Sequence, residues 1–149
     1  MEISLAKPQD ANAILVLQTQ IYRVESLAPN AKELLLALID ADYCSVIVAR
    51  ENLPAGKAGG KVVGSAFLFY LPLPAHGKNF AYLEAVVVDE KSRGKGIGTA
   101  ISKKAIELAR ANNCYKMIFT SGFDREKIHK LYENLGFAKW GYEFRMNLD

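Results

Sequence analysis

The spacing of apolar positions changes several times along the chain, and each change marks an element. Residues 2–6 are a short apolar run suited to an edge strand. From about Asp10 to Val24, Ala11, Ile14, Leu15, Ile21 and Tyr22 recur at helical spacing. "LAPNAKELLLALIDAD" predicts a second helix, with Asn30 as N-cap, Glu33 three residues on, and Leu34, Leu35 and Leu38 facing inward. Runs rich in Val and Ile at 43–50 and 62–71 read as strands. The segment between them, "ENLPAGKAGGK", reads as a long, mobile hairpin loop. It fails as a phosphate loop because no Gly-Lys pair is followed by Ser or Thr. "PLPAHGKN" (72–79), broken by two prolines, is another loop.

The second half predicts a strand at 80–88, a turn, and a helix from about Gly96 to Asn112. Ile97, Ile101, Ala105 and Leu108 share one face of that helix, and "NN" provides a left-handed end. A strand at 115–122 and a helix from about Arg125 to Leu135, closed by Gly136, come next. Two short strands are expected around Gly141 in "FAKWGYEFRMNL". The order β-αα-βββ-α-β-α-ββ predicts one mixed α/β domain over residues 1–149. Strand–helix–strand in its second half requires at least one parallel pair with a crossover.

Composition narrows the classes. At 149 residues, half of them hydrophobic, the chain can bury roughly two-thirds of its unfolded surface, so neither metal nor disulfide is needed for stability. The net charge of +3, without a dense Lys/Arg block, is too small by itself to argue for nucleic acid, and no nucleic-acid partner is expected; the modest excess suits an anionic small molecule at least as well. Cys44 and Cys114 form no CxxC and have no Cys/His cluster beside them. That is the pattern of buried thiols in a reducing cytosol, and it predicts no metal site. The opening "MEISLAKPQDAN" carries Glu2 and no long apolar core, unlike a signal peptide. No apolar run reaches the roughly 18 residues that would span a bilayer. The expectation is a soluble cytoplasmic protein without a membrane partner.

The chemistry concentrates in "YLEAVVVDEKSRGKGIG", residues 82–98. A dinucleotide fingerprint fails here: Thr99 stands where the third glycine belongs, and the later acidic residue is missing. A helix start after Val88 fits better. Its outward amides carry partial positive charge and suit a diphosphate, glycines permit close approach, and Arg93 and Lys95 add charge. "VVVDEKSRGKGIG" resembles the acyl-CoA signature of the GNAT superfamily of N-acetyltransferases, [QR]-x-x-G-x-[GA], here Arg93, Gly96 and Gly98. The element order resembles that family along almost the whole chain.

The resemblance implies a central, largely antiparallel sheet of about 6–7 strands with a splayed parallel pair and about four helices. It implies acetyl-CoA as co-substrate, with its pyrophosphate on Arg93, Gly94, Lys95, Gly96, Ile97, Gly98 and Thr99. The pantetheine arm would lie along Val86, Val87 and Val88, beside a bulge that the sequence does not reveal. Tyr132, Gly136 and Phe137 resemble the family's second motif, Y-x-x-x-G-F. On periodicity alone Tyr132 is a core tyrosine; the resemblance makes it the general acid that protonates the departing thiolate. Two positions depart from the pattern. Arg125 stands where many members carry a cofactor-contacting Asn, and Ile128 where they carry Ala. Arg125 can face coenzyme A phosphates or simply start an exposed helix, and His129 reads as an ordinary helix residue.

The implied acceptor is a primary amine of a small molecule or peptide. Glu84 is the candidate base, against the alternative of a carboxylate paired with a nearby cation. Strict alternation would put it on one face with Tyr82 and Val86, if no bulge intervenes. Tyr22, Glu25 and Tyr82, with Phe80, Trp140 and Tyr142, are candidates for the acceptor pocket. Cys114 lies away from both motifs and is not favoured as a nucleophile. A homodimer is the family-level expectation. Two rival readings stay open: a catalytically silent acyl-CoA-binding module, and a nucleotide-binding module weakened by the failed fingerprints.

Overall fold

The structure, a computed structural model, describes residues 1–22, 26–51 and 60–148. It divides into two units, Met1–Ile118 and Phe119–Asp149.

The first unit is built on a five-stranded sheet in the order β1 (Glu2–Leu5), β2 (Cys44–Glu51), β3 (Lys61–Leu73), β4 (Lys78–Val88) and β5 (Met117–Ile118). Neighbours are antiparallel through β4, and β4–β5 is parallel. The crossover that a parallel pair demands is α3 (Ile97–Ala111). Two further helices, α1 (Ala11–Tyr22) and α2 (Ala31–Asp40), cover one face. Ala11, Ile14 and Leu35 cluster there with Cys44, Val46 and Val48 of β2.

Two consecutive residues of β3 show how the layers divide. Ser65 Oγ accepts a 3.5 Å hydrogen bond from Gln18 Nε2 of α1. The preceding Gly64 points the other way, toward α3. A Cβ at Gly64 would lie 2.9 Å from Ile101 Cδ1 and 3.1 Å from the Val87 carbonyl oxygen, so only glycine lets α3 approach this closely. A buried ion pair ties the entry of α1 to the sheet. Arg50 binds Asp10 and donates to Ser4 Oγ, while Asp10 also accepts the Lys7 amide at 2.7 Å.

Several sequence expectations are revised here. Asn30 occupies the N-cap position of α2 but makes no side-chain cap hydrogen bond. Leu34 is 57% exposed, because Leu35 takes the sheet side and its neighbour lies ~100° round the helix. The predicted loop at 72–79 narrows to a short 3-10 turn, Pro74–His76, between long strands. Asn113 is left-handed (φ 53°), as the "NN" end of α3 predicts. The strand expected at 115–122 contributes only Met117 and Ile118 to the sheet. Most of the predicted hairpin loop, residues 52–59, lies outside the described residues.

The second unit contains α4 (Glu126–Asn134). Gly136 (φ 94°) ends it, with the Phe137 amide returning to the Tyr132 carbonyl at 3.1 Å and the Gly136 amide to Glu133 at 3.0 Å. Phe119, Tyr132 and Phe137 pack ring against ring at 4.1, 5.0 and 5.8 Å between centroids. The two strands expected around Gly141 do not form among the described residues. A strand exists only with a ladder partner, and residues 137–148 have none there. The sheet therefore has five strands rather than about 6–7.

Candidate functional site

β4 carries the backbone feature that alternation alone could not anticipate. Ser65 pairs with Val87, but Phe67 pairs with Glu84, so β4 holds one extra residue opposite Ala66. The extra residue is a β-bulge at Ala85, whose φ of 53° is left-handed. Ser65 and Phe67 lie on the same face of β3, and therefore so do Val87 and Glu84. The bulge reverses the alternation: Tyr82 and Glu84 share a face, as expected, whereas Val86 leaves it. That face is the one covered by α1, since Ser65 meets Gln18 there. The Ala85 amide donates to Glu84 Oε1 at 3.1 Å, turning the carboxylate back onto the bulge. The parallel ladder to β5 consists of Ala81–Met117 and Tyr82–Ile118. It ends two residues before Glu84.

After β4 the chain enters a short 3-10 turn, Glu90–Ser92, whose first amides are held by Asp89; its Oδ1 accepts the Lys91 amide at 3.1 Å. Gly94 (φ 79°) and Gly96 (φ 75°) then take left-handed conformations, and an added Cβ at either would meet no atom within 4 Å. Gly96 is the N-cap of α3 and supplies no side-chain cap. Its carbonyl accepts the Ala100 amide at 3.0 Å. The amides of Ile97, Gly98 and Thr99 thus start the helix without intrahelical partners. Gly98 differs from the other two glycines: its backbone is helical, and an added Cβ would sit 3.8 Å from Val88 Cγ2.

The two cations of the turn are engaged locally. Arg93 Nε donates to the Val88 carbonyl at 3.1 Å, and its guanidinium stands 4.0 Å from Glu90. Lys95 Nζ binds Glu51 Oε1 at 2.8 Å, and that partnership holds the Glu51 carboxyl below its usual range. Both pairs are exposed and weak, so an anion of higher charge can compete for either cation.

Sequence spacing gave no hint of Gln20. From the last turn of α1 its side-chain amide donates to Asp89 Oδ2 at 3.2 Å and accepts the Glu90 amide at 3.3 Å. The hydrogen bond from Gln20 lowers the Asp89 pKa. Gln20 therefore clamps the turn that carries the glycines, across a sequence distance no local pattern encodes.

In the second unit Tyr132 is 8% exposed, inside the aromatic trio. Arg125 is the N-cap residue of α4 and makes no side-chain cap hydrogen bond. His129 Nε2 lies 2.9 Å from the Gly122 carbonyl, a local fastening that agrees with an ordinary helix residue. The Ser121 hydroxyl is buried without a partner among the described residues.

The remaining candidates scatter. Tyr22 closes α1, and Glu25 lies outside the described residues. Phe80 is half-buried with Lys116 Nζ 5.5 Å from its ring centroid. Trp140 and Tyr142 are 95% and 80% exposed. Burial pushes the Cys44 thiol up to about 11 and raises that of Cys114, so neither is a thiolate nucleophile at neutral pH. Among the described residues no group of His, Cys, Asp or Glu is arranged to hold a metal ion, and no helix is long and apolar enough to cross a membrane.

Comparison with known proteins gives a consistent result. The family model described as "Acetyltransferase (GNAT) family" matches residues 12–137. Glucosamine 6-phosphate N-acetyltransferase of Trypanosoma brucei brucei is 40% identical over 91 residues, covering 60% of this chain and 58% of that protein. N-alpha-acetyltransferase 30 of Xenopus laevis is 38% identical over 79 residues, covering 52% of this chain and 29% of that protein. The chain thus spans well under two-thirds of either relative. Among solved structures, a putative acetyltransferase from Agrobacterium tumefaciens superposes with a TM-score of 0.85 at 28% identity, over 99% of both chains. An acetyltransferase of Trypanosoma brucei gives 0.82 at 27% identity, also over 99% of both. A five-stranded mixed sheet, a bulge before the glycine turn and a family match across most of the sequence agree: the chain belongs to the GNAT family of acetyltransferases.

Proposed function

We propose that this protein is an N-acetyltransferase that moves an acetyl group from acetyl-CoA to a primary amine of a small molecule or peptide, by direct attack of the amine on the thioester. The observation that carries this reading is the turn at Gly94 and Gly96. It leaves open space above two left-handed glycines at the head of α3, directly after a bulged strand, in a chain of this family. The space and the first-turn amides, which have no intrahelical partners, fit a diphosphate.

Acetyl-CoA, as co-substrate, supplies an activated acetyl thioester. The amides of Arg93, Gly94, Lys95, Gly96, Ile97, Gly98 and Thr99 take its diphosphate. Lys95 exchanges Glu51 for it, and Arg125 adds a further cation. Backbone groups of Val86, Val87 and Val88 hold the pantetheine and polarise the thioester carbonyl. Glu84, with Tyr82 on the same face of β4, belongs to the acceptor side together with Tyr22 and Glu25. A lysine-like amine, with a pKa of roughly 10.4, must lose a proton before it attacks, and Glu84 accepts it. Tyr132 returns a proton to the departing thiolate. The same proposal takes residues 1–149 as one domain, active in the cytoplasm as a homodimer. Relatives named for glucosamine 6-phosphate and for N-alpha acetylation put amino-sugar phosphates and α-amines in the first substrate panel.

Tyr132→Phe tests the acid role. The expected result is a kcat reduced by more than about tenfold, a threshold set below the roughly 10²–10⁴-fold that general acid catalysis contributes, with coenzyme A affinity near normal. An unchanged kcat on a good substrate refutes the role. Tight binding of acetyl-CoA without turnover of any amine would favour the silent binding module instead.

A further inference from the structure

The sheet face under α1 and α2 is not covered evenly. At the glycine-turn end Ser65 and Val87 are buried, 0% and 4% exposed. Past the bulge, the pairs on the same face are Phe67 with Glu84, Phe69 with Tyr82 and Leu71 with Phe80. None of these six is fully buried. Ile118, beside Tyr82 in the parallel ladder, is 41% exposed. The Phe67 and Phe69 rings stand 6.4 Å apart, and both side chains pack against the core beneath the helices. Three strands thus present a strip of rings and aliphatic side chains, with the Glu84 carboxylate at its bulge end. Small-molecule sites have this make-up: apolar and aromatic lining, with a few polar groups that fix orientation.

Charge narrows the occupant. An amine that arrives as an ammonium is drawn to Glu84 and to the faces of the neighbouring rings. The elements of this face offer an anion little. α1 has no basic residue, and those of β3 and β4 are their first residues, Lys61 and Lys78. Arg50 of β2 is already bound to Asp10. Lys116 Nζ lies 5.5 Å from the Phe80 ring centroid, and Phe80 is roughly 13 Å along the strand from Glu84. A phosphate close to the reacting amine would therefore rest on Phe67, Phe69 and Tyr82, and an unpaired charge on an apolar surface is costly. An apolar group in the same place buries ring surface instead.

We propose that Phe67, Phe69 and Tyr82 select the acceptor, and that it is a primary amine attached to a large apolar group, an aromatic one above all. The group can belong to a small arylalkylamine or to the first side chain of a peptide. Of the two acceptor classes named above, the strip thus favours an α-amine beside an apolar side chain over an amino-sugar phosphate. The inference rests on the acetyl-transfer reading for the role of Glu84, so binding and turnover are measured separately.

Calorimetric titration of the full chain saturated with coenzyme A tests it, with two pairs of ligands. One pair is phenethylamine and glucosamine 6-phosphate; the other is the tripeptides Phe-Gly-Gly and Ser-Gly-Gly. The expected result is that the aromatic member binds at least about tenfold more tightly, since even one methylene in an apolar pocket is worth roughly that much. A preference in one pair only supports the proposal and identifies the source, small amine or peptide. Phe69→Leu keeps an apolar side chain but loses the ring, and should weaken the aromatic member about two- to twelvefold more than the polar one. Equal or tighter binding of the polar member in both pairs overturns the proposal. So does a Phe69→Leu protein that weakens both members alike, which is the mark of a merely structural loss. Thiol release from acetyl-CoA separates the two readings. Aromatic preference in binding without turnover of any ligand would sink acetyl transfer and leave the selective strip standing. Turnover that favours glucosamine 6-phosphate and Ser-Gly-Gly would do the reverse.

Discussion

Substituting Gly96 and Gly98 separately distinguishes a glycine turn built to bind from one built only to fold. Gly96 has a φ of 75° and open space around the missing Cβ. Gly96→Ala therefore costs conformational energy rather than a clash, about 1–2 kcal/mol for a left-handed alanine. At ~2–4 °C per kcal/mol for a chain of this size, Tm should fall by about 2–8 °C. Relaxing that strain re-aims the first amides of α3. Losing one charge-assisted hydrogen bond to a diphosphate, worth about 1.5–3 kcal/mol, weakens coenzyme A binding by about 10- to 150-fold. Gly98 is already helical, and its added Cβ makes only an ordinary 3.8 Å contact with Val88 Cγ2. Gly98→Ala should therefore stabilise the chain by up to ~1 kcal/mol and leave coenzyme A binding within about threefold. Calorimetric titration with coenzyme A and thermal melting of each variant supply both readings. A Gly96→Ala protein that binds coenzyme A like the wild type would refute the claim that these amides hold the diphosphate.

Other consequences follow from the same structure. Glu84→Gln keeps an oxygen for the Ala85 amide but loses the base, so kcat should fall at least ~10-fold while coenzyme A affinity holds; steady-state kinetics and titration check the split. Arg50→Ala leaves the Asp10 carboxylate buried without its cation. That should cost about 3–5 kcal/mol in denaturant unfolding, whereas loss of a surface pair would cost under about 1 kcal/mol. The Cys44 thiol, raised from 9.0 to about 11 by burial, keeps its proton in the folded state where the unfolded chain has lost it. The folded state binds more protons in that window, so stability should decline as pH rises from about 9 toward 11. Cys44→Ala should flatten that decline in melts taken across the window.

What could be read in advance depended on how local each signal was. The turn was legible because left-handed backbone at Gly94 and Gly96 calls for a residue type that announces itself. The helices were legible from apolar spacing, although Leu34 shows that spacing does not settle which leucine faces in. The bulge was not legible: Ala85 takes its left-handed conformation without any residue that signals one, and only the register against β3 reveals it. Gln20 was hidden for a related reason, since its partners Asp89 and Glu90 meet it through tertiary structure alone. In the tail, the two short strands expected around Gly141 do not form among the described residues, because a strand needs a ladder partner that the local sequence does not supply.

The central claim is acetyl transfer to an amine, and the most direct measurement is release of free thiol from acetyl-CoA across an amine panel. The panel comprises polyamines, aminoglycosides, amino acids, peptide N-termini and amino-sugar phosphates, with the acetylated product identified by mass spectrometry. The account predicts amine-dependent thiol release with at least one class, lost in step in Glu84→Gln and Tyr132→Phe. Tight binding of acetyl-CoA with no thiol released above the amine-free rate for any class would contradict it.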